Sequence, residues 1–303
     1  DYVDRKSYGS SDENPFYTAN IIANPKLQLG SSVINSPKIT ARTLEDLQEV
    51  GGIESNVARG YHAIEFLLWG QDLNGHKPGA GIRKATDYDQ KNCSNKNCDR
   101  RGQYLNAAVD LLIMDLKFMV TQWGDSGPAR IWLMRKDKER QSLKAMLTGM
   151  GSLSYGELAG ERIKLGWMLH DPEEEHDCFS DNTHASHYYD ALGIRNIYLG
   201  AYKAIDGKVT GGPGLTSLVV KKSAEVDKKM RKALDNTMAK MDLLVKSAEN
   251  GEAYDQLLAS GNRKGERIIT GIINALTIQT KSIEKVVSVL SLDSIEFVGS
   301  DSL

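Results

Sequence analysis

Three long stretches of the chain repeat apolar residues at helical spacing with no proline inside them, and that leaves little room for anything but helix. Between Arg100 and Trp123, Leu105, Val109, Leu112, Leu116, Met119 and Trp123 make one apolar stripe, and Gly124 and Gly127-Pro128 end it. Thr216 to Ala248 repeats the pattern through Leu218, Val226, Met230, Leu234, Met238 and Met241, and Arg263 to Leu292 forms a last helix. Helical spacing also runs from Lys136 to Leu169, weakened around Gly149 to Ser154 and stopped by Asp171-Pro172, and from Thr183 to Tyr202. Earlier, a short helix begins at Thr43, and another runs from Ser55 or Asn56 to Trp69. Gly207 and Gly211-Gly212-Pro213-Gly214 read as a flexible connection. Residues 1–42 read as irregular chain with one short helix near Phe16 to Ala23, because Asn14-Pro15, Asn24-Pro25 and Ser36-Pro37 interrupt them. Few period-two stretches appear. The expected fold is all-α: two helical-bundle domains over 1–125 and 126–303, the second a bundle of about four helices.

Composition narrows the function classes. Hydrophobic residues at 40% and charged residues at 26% are the balance of a folded globular chain. A formal net charge of -2 argues against general nucleic-acid binding, which needs a basic surface to release counterions. The basic runs at Lys221-Lys222 and Lys228 to Lys232 are interleaved with acids and read as solvated helix faces. No run of about 18 apolar residues occurs, so no transmembrane segment is expected. The chain opens at Asp1 with no secretory leader, and a processed start with an export signal removed is the expectation.

Cys93 and Cys98 flank the polar turn Ser94-Asn95-Lys96-Asn97. They close a small disulfide loop if the turn brings their Cα atoms within about 7 Å. The alternative is two free thiols; a zinc site lacks a second Cys or His pair. A disulfide implies an oxidising compartment and leaves Cys178 as the odd cysteine.

Three constellations could carry chemistry. His62 and Glu65 lie three apart on a predicted helix and so share a face. An imidazole and a carboxylate at that spacing can ligate one metal ion, as in helical-bundle metal sites, or the carboxylate can fix the imidazole tautomer. The plainer alternative is a hydrogen-bonded pair with no ligand. Tyr61, Phe66, Leu67, Leu68 and Trp69 around the pair predict burial. The zinc-peptidase pattern His-Glu-x-x-His is absent, and Phe66 stands where the inverse pattern needs its second histidine. The acidic loop from Asp171 to His184 concentrates donors, with His176, Asp181 and His184 as ligand-binding candidates against a background of solvated acids and helix caps. Around Ser154 to Arg162, Glu157 and Glu161 share a face, with Glu161 and Arg162 as further ligand candidates. No nucleophile–base motif, Walker loop or dinucleotide fingerprint is present.

The segment from Gly60 to Asp72 resembles the Gly-x-His-x-x-Glu signature of the imelysin family. Glu174 to His184, Asp99 to Leu105 and Gly193 to Gly200 also resemble that family, so the likeness covers most of the chain. The resemblance implies two related helical domains with a site between them, a periplasmic or outer-membrane-associated location in bacteria, and a connection to iron uptake. It suggests iron or another divalent metal at His62 and Glu65, an iron-related ligand held with Tyr61, and periplasmic or outer-membrane uptake components as partners. It also carries a metallopeptidase label, for which His62 and Glu65 would be metal ligands. Family members carry further helices ahead of the point matching Asp1, so the first domain is expected to be incomplete.

Overall fold

In the computed structural model, which describes residues 20–29, 32–52, 57–293 and 295–297, the three apolar stripes all become helix. The chain divides into two units, one of residues 1–73 and 80–130 and the other of residues 74–79 and 131–303. Both are built from helices, as the all-α expectation requires. The strands among the described residues are four short ones, paired in two antiparallel hairpins.

In the first unit, β1 (Lys26–Leu29) pairs with β2 (Ser32–Asn35), followed by α1 (Ala41–Leu47), α2 (Tyr61–Trp69) and α3 (Cys98–Trp123). The hairpin lies where irregular chain was expected. Of the short helix expected near Phe16 to Ala23, residues 16–19 lie outside the described residues, and 21–23 form a turn. Helix α1 starts two residues early because Thr40, not Thr43, is its cap. The Thr40 hydroxyl accepts from the Thr43 N–H, and the Thr40 N–H donates to the Thr43 hydroxyl, both at 3.3 Å. Helix α2 starts later than expected, since Gly60 sits at φ 94°, a left-handed setting that no helical residue adopts.

Two arginines on the first turn of α3 hold the unit together through carbonyl oxygens. Arg100 donates to the carbonyls of Ile22 and Pro37, each at 2.9 Å. Arg101, 1% exposed, donates to those of Asp87 (2.8 Å), Lys96 (3.1 Å) and Asn95 (3.3 Å). Cys93 and Cys98 do form the disulfide, with Cα atoms 5.9 Å apart, which closes the loop whose carbonyls Arg101 reads. The buried face of α3 is that of Tyr104, Ala107, Ala108 and Leu111, one position away from the expected stripe, whose Leu105, Val109 and Leu112 are only half-buried. Leu116, Met119 and Trp123, expected to continue it inward, are about half exposed.

The second unit contains α5 (Glu139–Ser152), a π-helical segment (Leu153–Lys164), α6 (Leu165–Leu169), α7 (Thr183–Leu199), α8 (Leu215–Lys222), α9 (Ala224–Glu249), α10 (Tyr254–Leu258) and α11 (Arg263–Val289); the short α4 (Pro128–Leu133) spans the boundary. Four long helical runs make the bundle. Helix α11 packs on α9 and the π-helical segment, and α7 packs on the same two. The glycine-weakened stretch near Gly149 stays helical because Leu158, Ala159 and Ile163 are fully buried against α11. Ser154 anchors it: its hydroxyl accepts from Gln279 (3.0 Å) and Thr280 (3.1 Å) on α11.

Local chemistry moved three expected boundaries. The expected helix through Tyr202 stops at Leu199, and Ala201–Lys203 pairs with Val209–Gly211 as β3 and β4. The supposed flexible connection is thus a built hairpin, and a Cβ at Gly214 would stand 2.3 Å from the Leu199 carbonyl carbon. The helix expected from Thr216 to Ala248 breaks at Ser223, whose hydroxyl accepts from the Val226 N–H (3.3 Å) and caps α9. Buried Asp227 in the first turn of α9 accepts from Thr216 of α8 and from Tyr198 of α7 (2.9 Å), which holds the break in place. Residues 74–79 join this unit through His76, whose ring nitrogens lie 2.7 Å and 3.1 Å from the carbonyl oxygens of Asp255 and His170. Among the described residues, no helix is long and apolar enough to cross a membrane.

Candidate functional site

In the first unit, α2 turns His62 and Glu65 onto one face, with His62 Nδ1 3.1 Å from Glu65 Oε2. Glu65 is buried and the His62 side chain is half exposed, so the pair has a buried oxygen end and an accessible imidazole end. The expected apolar enclosure is partial. Phe66 and Leu67 are buried, whereas Tyr61, Leu68 and Trp69 are exposed. Helix α2 amphipathicity decides this: Ala63, Phe66 and Leu67 face the unit's interior, and Tyr61 at the first turn projects outward. Arg83 lies over the Phe66 ring at 5.3 Å and pairs with Asp87 at 3.5 Å, and the Tyr88 hydroxyl donates to the Leu67 carbonyl. These contacts brace the inner side of the helix that presents His62 and Glu65.

The second unit gathers the acidic loop, the π-helical segment and the start of α7. His176, Asp181 and His184 all lie half-buried there. Asp181 adopts φ 54°, and its carbonyl lies 3.2 Å from His184 Nδ1, so these two shape the turn into α7. The Asp177 N–H donates to the Thr183 hydroxyl at 2.8 Å, and Ser186 donates to the Asp177 carboxylate. Glu161 and Arg162 are exposed on the π-helical segment, and Arg162 pairs with Glu157 at 3.5 Å, which relieves the repulsion expected between Glu157 and Glu161. π-Helical turns recur at functional sites, and this one carries those charged groups.

Four residues that sequence reasoning passed over complete the picture. Glu175, Asp181 and Asp255 bring one carboxylate oxygen each within 4.8 Å of one another. Burial pushes the Glu175 carboxyl well above its ordinary range, and Asp255, Asp181 and Asp177 add to the push, while the Thr183 hydroxyl opposes it. His176, His187 and Asp190 form a second group with ligand atoms inside the same 4.8 Å. His187 and Asp190 stand three apart on α7, as do His184 and His187, so the helical spacing was there to be read. His187 was missed because the sequence does not record its burial, which the packing of α7 decides. The residue groups present can hold a metal ion, by chemistry and by spacing.

Gly166 lets the acidic loop approach. A Cβ there would sit 2.3 Å from the Glu174 carbonyl oxygen, a backbone atom that has to move with its loop. Gly166→Ala is expected to cost about 1–3 kcal/mol through overpacking and to speed amide exchange across 171–182. Unchanged exchange there, by mass spectrometry, would show that the loop does not depend on this contact.

Residues 12–283 match the imelysin family, which carries a peptidase-family label. The chain belongs to the imelysin family. No curated protein matches it. The match runs through α2 with its Gly60, His62 and Glu65, and through the acidic loop and α7, so the groups described above all fall within the matched residues.

Proposed function

We propose that this imelysin is an exported bacterial protein of iron uptake that binds a metal ion or an iron-related ligand without catalysis, with His62 and Glu65 as metal ligands. The observation that carries the reading is the His62–Glu65 pair itself: an accessible imidazole held 3.1 Å from a buried carboxylate on one helical face. An isolated structural pair has no need of an accessible imidazole, whereas a metal or ligand must reach it. Tyr61, exposed beside the pair, is placed to contact a bound molecule. In the second unit, Glu161, Arg162, His176, Asp181 and His184 are the further candidate ligand-binding groups. The disulfide supports a periplasmic or outer-membrane-associated location, because such bonds persist in oxidising compartments. Uptake components of those compartments are the fitting partners.

The peptidase label favours a second reading, in which His62 and Glu65 hold a catalytic metal with an open coordination position. Against it stands the sequence around α2, which has neither two-histidine zinc pattern. Metal analysis of the purified chain is expected to find iron or zinc, with one equivalent lost in both His62→Ala and Glu65→Ala. Peptide substrates are expected to stay intact at full metal loading. Retention of every equivalent in both variants would rule out the pair as ligands, and metal-dependent cleavage would establish the enzyme.

A further inference from the structure

We propose that His176, His187 and Asp190 form a binding site for a divalent transition-metal ion inside the second unit. This site is built on different residues from the His62–Glu65 pair and stands or falls independently of it. Its foundation is His187. The ring is fully buried, and neither ring nitrogen has a hydrogen-bond partner among the described residues. Interiors rarely leave a polar side chain in that state, because each orphaned group costs about 1–3 kcal/mol. Its ring neighbours leave both nitrogens in that state. Tyr254 stands edge-on at 5.2 Å between ring centroids, and its hydroxyl donates elsewhere, to the Ile163 carbonyl. The His176 ring lies 6.0 Å away by centroids and Asp190 one helical turn further along α7.

One ligand atom from each of the three residues falls within 4.8 Å of the others. An ion about 2.0–2.2 Å from each donor needs donors no more than about 4.3 Å apart, so small side-chain rotations suffice. Two imidazole nitrogens with one carboxylate oxygen suit iron(II), zinc and their neighbours, whereas calcium and magnesium prefer all-oxygen sets. Three protein ligands also leave coordination positions open. The imidazole must be neutral to ligate, and burial, with His176, Arg162 and His184 adding, holds His187 neutral down to about pH 3. Burial raises the Asp190 carboxyl above its ordinary range, an energetic cost that a bound cation would reverse. The Arg162 charge opposes that rise, and Arg162 is itself paired with Glu157 at 3.5 Å.

The test uses the full chain carrying His62→Ala and Glu65→Ala, stripped with a chelator and titrated with cobalt(II). The parent is expected to take up one equivalent and to show the visible absorption of a nitrogen-ligated cobalt ion. Adding His187→Leu is expected to weaken that binding at least about 100-fold, while the metal-free thermal midpoint stays level or rises because an orphaned group has gone. Asp190→Asn is expected to weaken it at least about tenfold, and it serves alone if the leucine variant fails to fold. Absence of cobalt uptake by the parent would overturn the proposal, and so would binding within threefold of the parent in the folded variants. Comparing the parent with the wild-type chain isolates the His62–Glu65 contribution, so the two readings fail separately.

Discussion

Arg101→Ala is expected to lower the stability of the first unit by about 3–5 kcal/mol, a large share of what a small helical unit has. The guanidinium is almost fully buried and its donors end on three carbonyl oxygens, those of Asp87, Asn95 and Lys96. Truncation leaves those acceptors without their donor and opens a cavity where a long side chain was. The Cys93–Cys98 bond holds two of the acceptors within its loop, so the arginine and the disulfide secure the same turn from opposite sides. Arg101→Lys is expected to recover less than half of the loss, since a single ammonium cannot serve three diverging carbonyls. Urea unfolding with fast exchange localised to residues 93–101 would check the assignment. A loss below about 1 kcal/mol would mean that water replaces the guanidinium at no great cost.

How much of this was legible beforehand depended on whether the deciding physics was local. Helix α3 and the two long helices α9 and α11 were readable because apolar spacing is a property of the segment itself. The boundaries were not, since each hung on one group. Thr40 outcompeted Thr43 as a cap by having the β-region backbone that a cap needs, and Gly60 delayed α2 by its positive φ. Ser223 broke a continuous apolar pattern because buried Asp227 draws α8 back through Thr216. The β3–β4 hairpin hid inside a glycine run, where composition suggests flexibility and only tertiary contact reveals a close backbone approach at Gly214. The His62–Glu65 pairing was legible from an i,i+3 spacing that α2 preserves. His187 was not. Its interest lies in having no partner, and no linear pattern records an absence of neighbours.

That missing partner sets the acid behaviour of the second unit. Between pH 7 and pH 4, chelator-treated wild-type protein is expected to lose about 3 kcal/mol more stability than His187→Leu. In the unfolded chain His187 takes up its proton near its ordinary pKa of 6.5, whereas in the fold burial holds it back to about 3. Below pH 6.5 the unfolded state therefore binds a proton that the folded state refuses, so stability falls with pH across that window, by about 1.4 kcal/mol per pH unit. Glu175 and Asp190 act in the opposite sense. Burial raises both, so the fold binds their protons first and gains stability as pH drops toward their unfolded values. Wild-type stability alone would blend these slopes, but both carboxyls remain in the leucine variant, and the difference between the two curves isolates the imidazole. Urea midpoints at half-unit pH steps would measure it. Parallel curves would mean that His187 finds a proton acceptor in the fold, and divergence beginning near pH 6.5 would establish a neutral, buried imidazole of the kind a metal ion requires.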